Sequence, residues 1–254
     1  MINNIAQIAK INSILNKMST DRFNAILPTK IDVLEELNGG KYKLLIGTKV
    51  IDTKSQLKLD VGSSYWGEMK ENLKSGSITL TQLLKQPKLL KNLSNLPRFD
   101  VQTLGQLLTK ESPKGELKMI LLENLANSSS KSEFMTVANM LQGINESLFS
   151  FVLNHNNKDA IFQFKKRKKR HPDKKDEDTK IDFYAAFENL GPIEGVVEVI
   201  DGVRRLSLYL YYENSLAFLK RELASLDLEA VLYKKDKSIN PLFSVTPALL
   251  DIKG

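Results

Sequence analysis

The residues that could carry out acid–base, metal or nucleophilic chemistry are few in this chain. The sequence has two histidines, His155 and His171, and no cysteine. Both histidines lie in polar stretches typical of solvated loops, and acidic residues such as Glu35 and Glu36 are adjacent, which does not indicate two acids converging in a cleft. The motifs of phosphate loops, dinucleotide folds, zinc proteases and serine hydrolases do not occur. We therefore expect no catalytic residue, no metal site and no cofactor, and we predict that the protein is not an enzyme.

A run of six basic residues is the strongest charge feature of the sequence. The run consists of Lys165, Lys166, Arg167, Lys168, Lys169 and Arg170, and it accounts for all but one of the seven net positive charges of the chain. A domain that binds a nucleic-acid duplex spreads its lysines and arginines over one folded face to follow the phosphates. Here acidic residues follow the run closely, between positions 173 and 178. The local charge therefore predicts a solvated basic loop over residues 165–180 and argues against nucleic acid as the partner.

Composition limits the class of protein. With 42% hydrophobic and 26% charged residues over 254 positions, the chain resembles an ordinary globular protein long enough for two domains. No run of about 18 apolar residues occurs, and the N-terminus lacks the charged start and continuous apolar core of a signal peptide. The sequence therefore predicts no membrane span and favours a cytoplasmic protein.

The clearest structural pattern lies between residues 181 and 235. Apolar residues alternate with polar ones from 181 to 185 and again before and after Asp201-Gly202, a pair that favours a tight hairpin because primed turns need positive φ at both central residues. Leucines at 216, 219, 223 and 226 then recur at helical spacing, with Asn214 or Ser215 placed to cap the helix, and a last strand follows. This order predicts a small α+β unit in which one amphipathic helix covers one face of a mixed sheet.

Particular residues of this unit match the pattern of a known family. They are Leu190, Gly191, Ile193, Gly195, Asp201 and Gly202, followed by leucines in the second hairpin strand and in the helix. In this order and with these residues, the segment resembles the C-terminal domain family of the bacterial flagellar hook-length control proteins. The match covers less than a third of the chain and is mostly a packing pattern, so we expect these positions to be structural. The family's long disordered N-terminal part, to which length measurement is attributed, is missing, which favours a relative that senses or assists the export gate.

The resemblance implies a regulator of flagellar type III protein export. Such a protein would bind the cytoplasmic domain of the export-gate switch protein and influence hook length or substrate-specificity switching, acting in the cytoplasm or passing through the export apparatus itself. The side chains expected to contact this partner are Arg204, Arg205, Lys220 and Arg221 as a charged rim, and Leu242 and Phe243 in the C-terminal tail. Two alternatives stay open: a nucleic-acid-binding module that uses a small barrel and the basic loop, and a scaffold protein of another assembly.

The sequence as a whole divides into four predicted regions, of which the last contains the unit described above. Residues 1–20 form an amphipathic helix, either packed on its own protein or serving as a detachable docking segment. Residues 21–84 contain about five short strands between glycine turns, which is typical of a small β-barrel or a strongly bent sheet. Residues 85–157 form a helical connecting region broken by prolines, and residues 158–254 form the α+β domain that resembles the hook-length control family.

The predicted fold class is therefore α+β: an N-terminal helix and small β-barrel, a helical middle region, and a C-terminal α+β domain with a mixed sheet and one covering helix. In the barrel, Tyr42, Tyr65 and Trp66 are the only aromatic side chains that could stack on bases. Trp66 is the sole tryptophan of the chain. A core position for Trp66 is the simpler expectation.

Overall fold

A computed structural model describes residues 2–19, 27–55, 57–72, 77–91, 93, 96–167, 179–200, 203–224 and 229–243. It contains helices and two separate β-sheets, which confirms the predicted α+β class. The first helix, α1 (Ile2–Ser19), precedes both sheets in the sequence.

The smaller sheet has five antiparallel strands in the order β3-β2-β1-β4-β5. Its strands are β1 (Thr29–Leu37), β2 (Lys41–Ile46), β3 (Lys49–Lys54), β4 (Ser64–Asn72) and β5 (Ser77–Lys85). Register shifts between Val33 and Glu35 and between Trp66 and Glu68 mark irregularities that bend a sheet. Among the described pairings none joins β3 to β5.

The larger sheet has seven strands in the order β12-β11-β10-β9-β8-β7-β6. Its strands are β6 (Arg98–Phe99), β7 (Leu148–His155), β8 (Lys158–Lys166), β9 (Thr179–Phe187), β10 (Gly191–Ile200), β11 (Val203–Leu210) and β12 (Glu229–Lys234). The pairs β6-β7 and β11-β12 are parallel and the other pairs are antiparallel, so the sheet is mixed, as predicted.

In the described ranges four further α-helices connect or cover these strands. They are α2 (Val101–Leu108), α3 (Pro113–Ala126), α4 (Lys131–Asn145) and α5 (Glu213–Leu223). Side chains of Asp100, Ser112 and Ser130 accept hydrogen bonds from the first turns of α2, α3 and α4, which explains why these helices begin where they do.

The range predicted as a helical connecting region, 85–157, also contributes strands to the large sheet. It holds α2, α3 and α4, but also β6 and the whole of β7. β7 is buried on both faces, because Val152 and Leu153 are neighbours and both are at most 7% exposed. A strand buried on both faces has no alternation that distinguishes it from a helical segment. The sheet therefore begins well before the predicted boundary near Lys158.

One face of the large sheet, here called the helical face, is covered by α1 and α5. Its core joins Leu15 of α1 and Leu219 of α5 to Leu190, Ile193 and Leu208 of the sheet. The described part of α1 is thus packed on its own protein, in agreement with the first of the two readings for residues 1–20. Neighbouring side chains on each strand point to the opposite face, where α3, α4 and Trp66 of the smaller sheet pack.

Trp66 joins the two sheets. The side chain is 1% exposed and clusters with Tyr184, Ala186 and Tyr212 of the larger sheet and its flanking turn. Tyr42 and Tyr65 are also buried, within the core of the smaller sheet. All three aromatic side chains considered for base stacking therefore belong to the core.

Candidate protein-binding surface

The ends of several strands bring basic residues together at one end of the large sheet. β8 ends with Lys165 and Lys166, and Lys166 pairs with Ile181 at the start of β9. On the neighbouring strands Ile200 pairs with Val203, so β11 also begins at this end, with Arg204 and Arg205 as its next residues. We call the described cationic residues gathered here the basic end, namely Lys165, Lys166, Arg167, Lys180, Arg204, Arg205, Lys220 and Arg221.

The last turn of α5 adds Lys220 and Arg221 to this end. β11 leads away from the basic end, α5 returns along the helical face, and β12 starts beside Arg205 and runs parallel to β11. Both cations are exposed, and their position near the helix C-terminus is favourable because the helix dipole is negative there. The topology therefore places four of the predicted partner-binding residues, Arg204, Arg205, Lys220 and Arg221, at one end of the molecule.

Some of these cations are already paired. The guanidinium of Arg167 donates to both carboxylate oxygens of Asp182, with Nε and Nη2 at 2.6 and 2.7 Å, and this hydrogen bonding raises the pKa of Arg167. Lys180 forms an ion pair with Glu198. These partly exposed pairs contribute little to stability, but they neutralise two positive charges of the basic end.

Arg204, Arg205 and Lys220 have no ion-pair partner among the described residues. All three residues are exposed. Surface cations that lack partners in the described part of a sheet give a local positive field, which in general attracts acidic molecules and raises their rate of association.

Arg221 lies beside a buried carboxylate. Its Nε is 3.1 Å from Glu222 Oε1, and Lys17 Nζ of α1 is 2.6 Å from Glu222 Oε2. The hydrogen bond from Lys17 holds the pKa of Glu222 below its ordinary value, since it favours the charged carboxylate. The Arg221 guanidinium also lies 5.6 Å from the centre of the Phe218 ring. Arg221 therefore has a structural role in addition to its exposure at the basic end.

The predicted contact residues Leu242 and Phe243 do not join the basic end. Leu242 packs against the core that joins the two sheets. The backbone of Phe243 is held by the fully buried Gln163 side chain, whose Nε2 donates to the Phe243 carbonyl (2.9 Å) and whose Oε1 accepts from the Phe243 N–H (3.2 Å). The tail up to residue 243 is thus packed back on the protein, and both residues contribute to the fold.

The family-like positions that are described all have packing roles. Leu190 is 1% exposed, and its carbonyl accepts a hydrogen bond from the Ser215 hydroxyl at 2.9 Å. Gly191 has a φ of +75° and lies against the Tyr212 ring, and a Cβ on Gly195 would lie 2.2 Å from the Phe183 ring. The predicted capping role of Asn214 or Ser215 is not observed, because α5 begins after Tyr212 with no side-chain cap.

Several predicted residues lie outside the described part of the chain. Asp201 and Gly202 lie outside the described residues, although β10 and β11 pair up to the positions on either side of them. Lys168, Lys169 and Arg170 of the basic loop also lie outside the described residues.

An exposed apolar strip on β12 was not predicted from the sequence. Val231 and Tyr233 are 46% and 45% exposed, and the Tyr233 ring stacks on Tyr209 of β11 with ring centres 5.1 Å apart. The signal was present, because β12 carries apolar residues at both odd and even positions.

A cleft between the two sheets carries polar groups that are engaged in structural contacts. It is lined in part by Lys30, Gln86, Asp159 and Glu188. The Asp159 carboxylate accepts from Asn154 Nδ2 at 2.6 Å and lies 2.9 Å from Arg98 Nη2. These contacts link β6, β7 and β8 at the mouth of the cleft.

The described residues contain no cluster of three or more His, Asp or Glu side chains with the geometry to hold a metal ion. None of their helices is both long enough and apolar enough to cross a membrane.

Comparisons with known proteins found no family model that matches this chain, no matching curated protein and no matching solved structure.

Proposed function

We propose that the protein is a cytoplasmic regulator of flagellar type III protein export that acts by binding the cytoplasmic domain of the export-gate switch protein. In this role it influences hook length or the change in substrate specificity. The proposal combines the resemblance of residues 181–235 to the hook-length control family with the geometry of the basic end.

One observation carries the proposal: Arg204, Arg205 and Lys220 lie at one end of the large sheet, exposed and without ion-pair partners among the described residues. Cations in this arrangement suit recognition of an acidic protein surface, where rim charges accelerate encounter and orient the partner. Recognition of this kind needs no covalent step, so the protein acts through its affinity for the partner.

The nucleic-acid alternative has less support in the described residues. Single-strand binding folds combine a cationic groove with exposed aromatic side chains on which bases stack. Tyr42, Tyr65 and Trp66 are at most 7% exposed, so none of them offers a ring face to a base. The predicted combination of exposed barrel aromatics with the basic loop is therefore not present among the described residues, which favours an acidic protein partner.

The proposal is tested by calorimetric titration of the purified chain with the cytoplasmic domain of the switch protein at low and high salt. We expect saturable binding that weakens as salt increases, because screening reduces the attraction between exposed charges. Absence of binding at low salt would contradict the proposal. Salt-sensitive retention on single-stranded nucleic acid in the same preparation would then favour the nucleic-acid function.

A further inference from the structure

The outer edge of β12 offers unpaired backbone groups. β12 is the last strand of the large sheet, and no described residue pairs with its outer side. The Lys235 N–H donates to the Leu210 carbonyl of β11 at 2.8 Å. Backbone groups point alternately to the two sides of a strand, so those of Ala230, Leu232 and Lys234 point away from β11. An edge of this kind is a template for an additional strand.

The side chains beside this edge suit an added strand with apolar residues. Val231 and Tyr233 are exposed on the face opposite α5, and Tyr233 is held in place by stacking on Tyr209. Leu232 points to the helical face and packs against its core. An added strand would therefore place every second side chain on the face that carries Val231 and Tyr233. Apolar side chains at those positions would pack against Val231 and Tyr233.

Positive charge lies at one end of the edge. Arg205 is in register with the first residue of β12, and Arg204 precedes it. At the other end, the charge of Lys234 is balanced by Glu213 and Asp236, whose carboxylate oxygens lie 3.7 and 3.8 Å from Lys234 Nζ. The cations at the first end are complementary to a segment that has acidic residues on one side of its apolar centre.

We propose that an extended segment of the partner, with alternating apolar residues and acidic residues at one end, adds to the large sheet as a strand beside β12. Its backbone exchanges hydrogen bonds with Ala230, Leu232 and Lys234, and its acidic residues lie near Arg204 and Arg205. This inference rests on the proposed function, since it assigns the segment to the cytoplasmic domain of the export-gate switch protein. Strand addition of this kind derives affinity from the main chain and specificity from alternate side chains.

The test uses two substitutions at one position. In Ala230→Pro the outward N–H is removed, while a proline is compatible with an edge strand where the N–H is not bonded to the neighbouring strand. In Ala230→Val the N–H is kept and the residue favours a strand. We expect the valine variant to bind the switch-protein domain like the wild type and the proline variant to bind about tenfold more weakly, the effect of one lost hydrogen bond.

A second measurement on the wild-type protein does not depend on the proline variant being folded. Amide hydrogen exchange followed by NMR should slow at Leu232 and Lys234 when the domain is added. The amides of Val231 and Tyr233, which face β11, should be protected both before and after. This alternation of protection along β12 is specific to strand addition.

The outcomes separate the inference from the function on which it rests. Binding of all three proteins with equal affinity, or no change in exchange at Leu232 and Lys234, would overturn strand addition and leave the proposed function standing. No binding by the wild type would overturn both. A wild-type dimer that Ala230→Pro converts to a monomer would show that a second copy occupies the edge, and would overturn the assignment to the switch protein.

Discussion

The indole N–H of Trp66 donates a hydrogen bond to the backbone carbonyl of Phe187 at 2.9 Å, across the boundary between the two sheets. The two residues are 121 positions apart in the sequence. Beside this contact, the Tyr212 hydroxyl donates to the Gln82 carbonyl at 3.1 Å, and burial raises the pKa of Tyr212, which keeps the hydroxyl protonated. The two sheets are therefore joined by directed hydrogen bonds as well as by apolar packing.

Trp66→Phe should lower the free energy of unfolding by about 2 to 3 kcal/mol, since it removes both the hydrogen bond and part of a fully buried ring. Denaturant unfolding followed by circular dichroism measures this loss. Tyr212→Phe is the matched control, because it removes one hydrogen bond and almost no volume and should cost about 1 kcal/mol. An unchanged midpoint in Trp66→Phe would show that the contact between the sheets does not stabilise the protein.

Trp66 also reports on cooperativity, because it is the sole tryptophan and lies between the sheets. We expect unfolding curves from tryptophan fluorescence and from far-ultraviolet circular dichroism to coincide, as in a single cooperative transition. A fluorescence transition that precedes the loss of ellipticity would instead mean that the sheets separate before they unfold.

Gly195→Ala should destabilise the protein by about 1 to 3 kcal/mol, because the new Cβ would overlap the Phe183 ring and overpacking strains the core. The distance from this Cβ to the nearest ring atoms would be 2.2 Å. Phe183→Ala removes the ring, so the double variant should be more stable than the sum of the two single effects predicts. Strictly additive effects in thermal unfolding would contradict the contact.

The ion pair between α1 and α5 should make stability depend on pH. The folded state lowers the pKa of Glu222 from an ordinary value of 4.5, so its contribution is present above that value and is lost as the pH falls through the lower folded-state pKa. Glu222→Gln should therefore destabilise the protein at neutral pH and have little effect in strong acid. Urea unfolding at several pH values measures the difference, and a constant difference across the acid range would contradict it.

The effect of pH on stability should have the opposite sign at Glu68, because its pKa is raised in the folded state and that of Glu222 is lowered. Burial raises the pKa of Glu68, so the charged form is unfavourable in the folded state at neutral pH. Glu68→Gln should stabilise the protein at neutral pH, and the gain should shrink as the pH falls through the raised folded-state pKa of Glu68. The Oε1 acceptor for Asn214 Nδ2, now 3.2 Å away, is kept in this variant. Destabilisation at neutral pH would mean that the carboxylate charge itself stabilises the fold.

Reversal of the charges of Arg204 and Arg205, which have no ion-pair partner among the described residues, should weaken binding without unfolding the protein. Arg204→Glu with Arg205→Glu should lower affinity for the switch-protein domain by about tenfold at low salt and less at high salt, because exposed rim charges act mainly through screened attraction. Lys41→Glu with Lys118→Glu is a matched control, since both residues are exposed and lie on other elements. Equal loss of affinity in the control would mean that net charge alone, and not the basic end, governs binding.

A substitution at buried Leu208 shows what a folding defect looks like, in contrast to a defect in binding alone. Leu208→Asp places an unpaired charge in the core of the helical face, so it should unfold the C-terminal region. Circular dichroism should show this loss for Leu208→Asp and a native spectrum for the Arg204 and Arg205 variant. Similar loss of structure in both would contradict the assignment of Arg204 and Arg205 to exposed positions.

The parts of the fold that sequence predicted best are those with local signals. The alternation of β9, β10 and β11 and the helical spacing of α5 depend on residues within a few positions of one another, and the hairpin and the covering helix follow from them. By contrast, β7 has apolar residues on both faces, so its period does not distinguish a strand from a helix. Its place in the sheet is decided by pairing with β8 and by the two-residue β6.

Only part of the candidate site could be predicted, because some of its residues are placed by local signals and others by contacts with distant residues. Exposure of Arg204, Arg205 and Lys220 could be expected from their charge and from the polar side of α5. The packed position of Phe243 could not, because it depends on Gln163, 80 residues earlier. A glutamine side chain in a strand gives no sign that it will bind a backbone segment distant in the sequence.

The contact between Lys17 and Glu222 has a consequence for how the chain reaches its native state. It joins residues 205 positions apart, whereas the β7-β8, β9-β10 and β10-β11 hairpins of the large sheet close over only two or three residues. Contacts between distant residues form late, because closing a long loop costs entropy before any contact compensates for it. We therefore expect α1 to dock last, after the sheet has formed. Until then the leucines of the helical face stay exposed, and refolding at high protein concentration should favour aggregation at that stage.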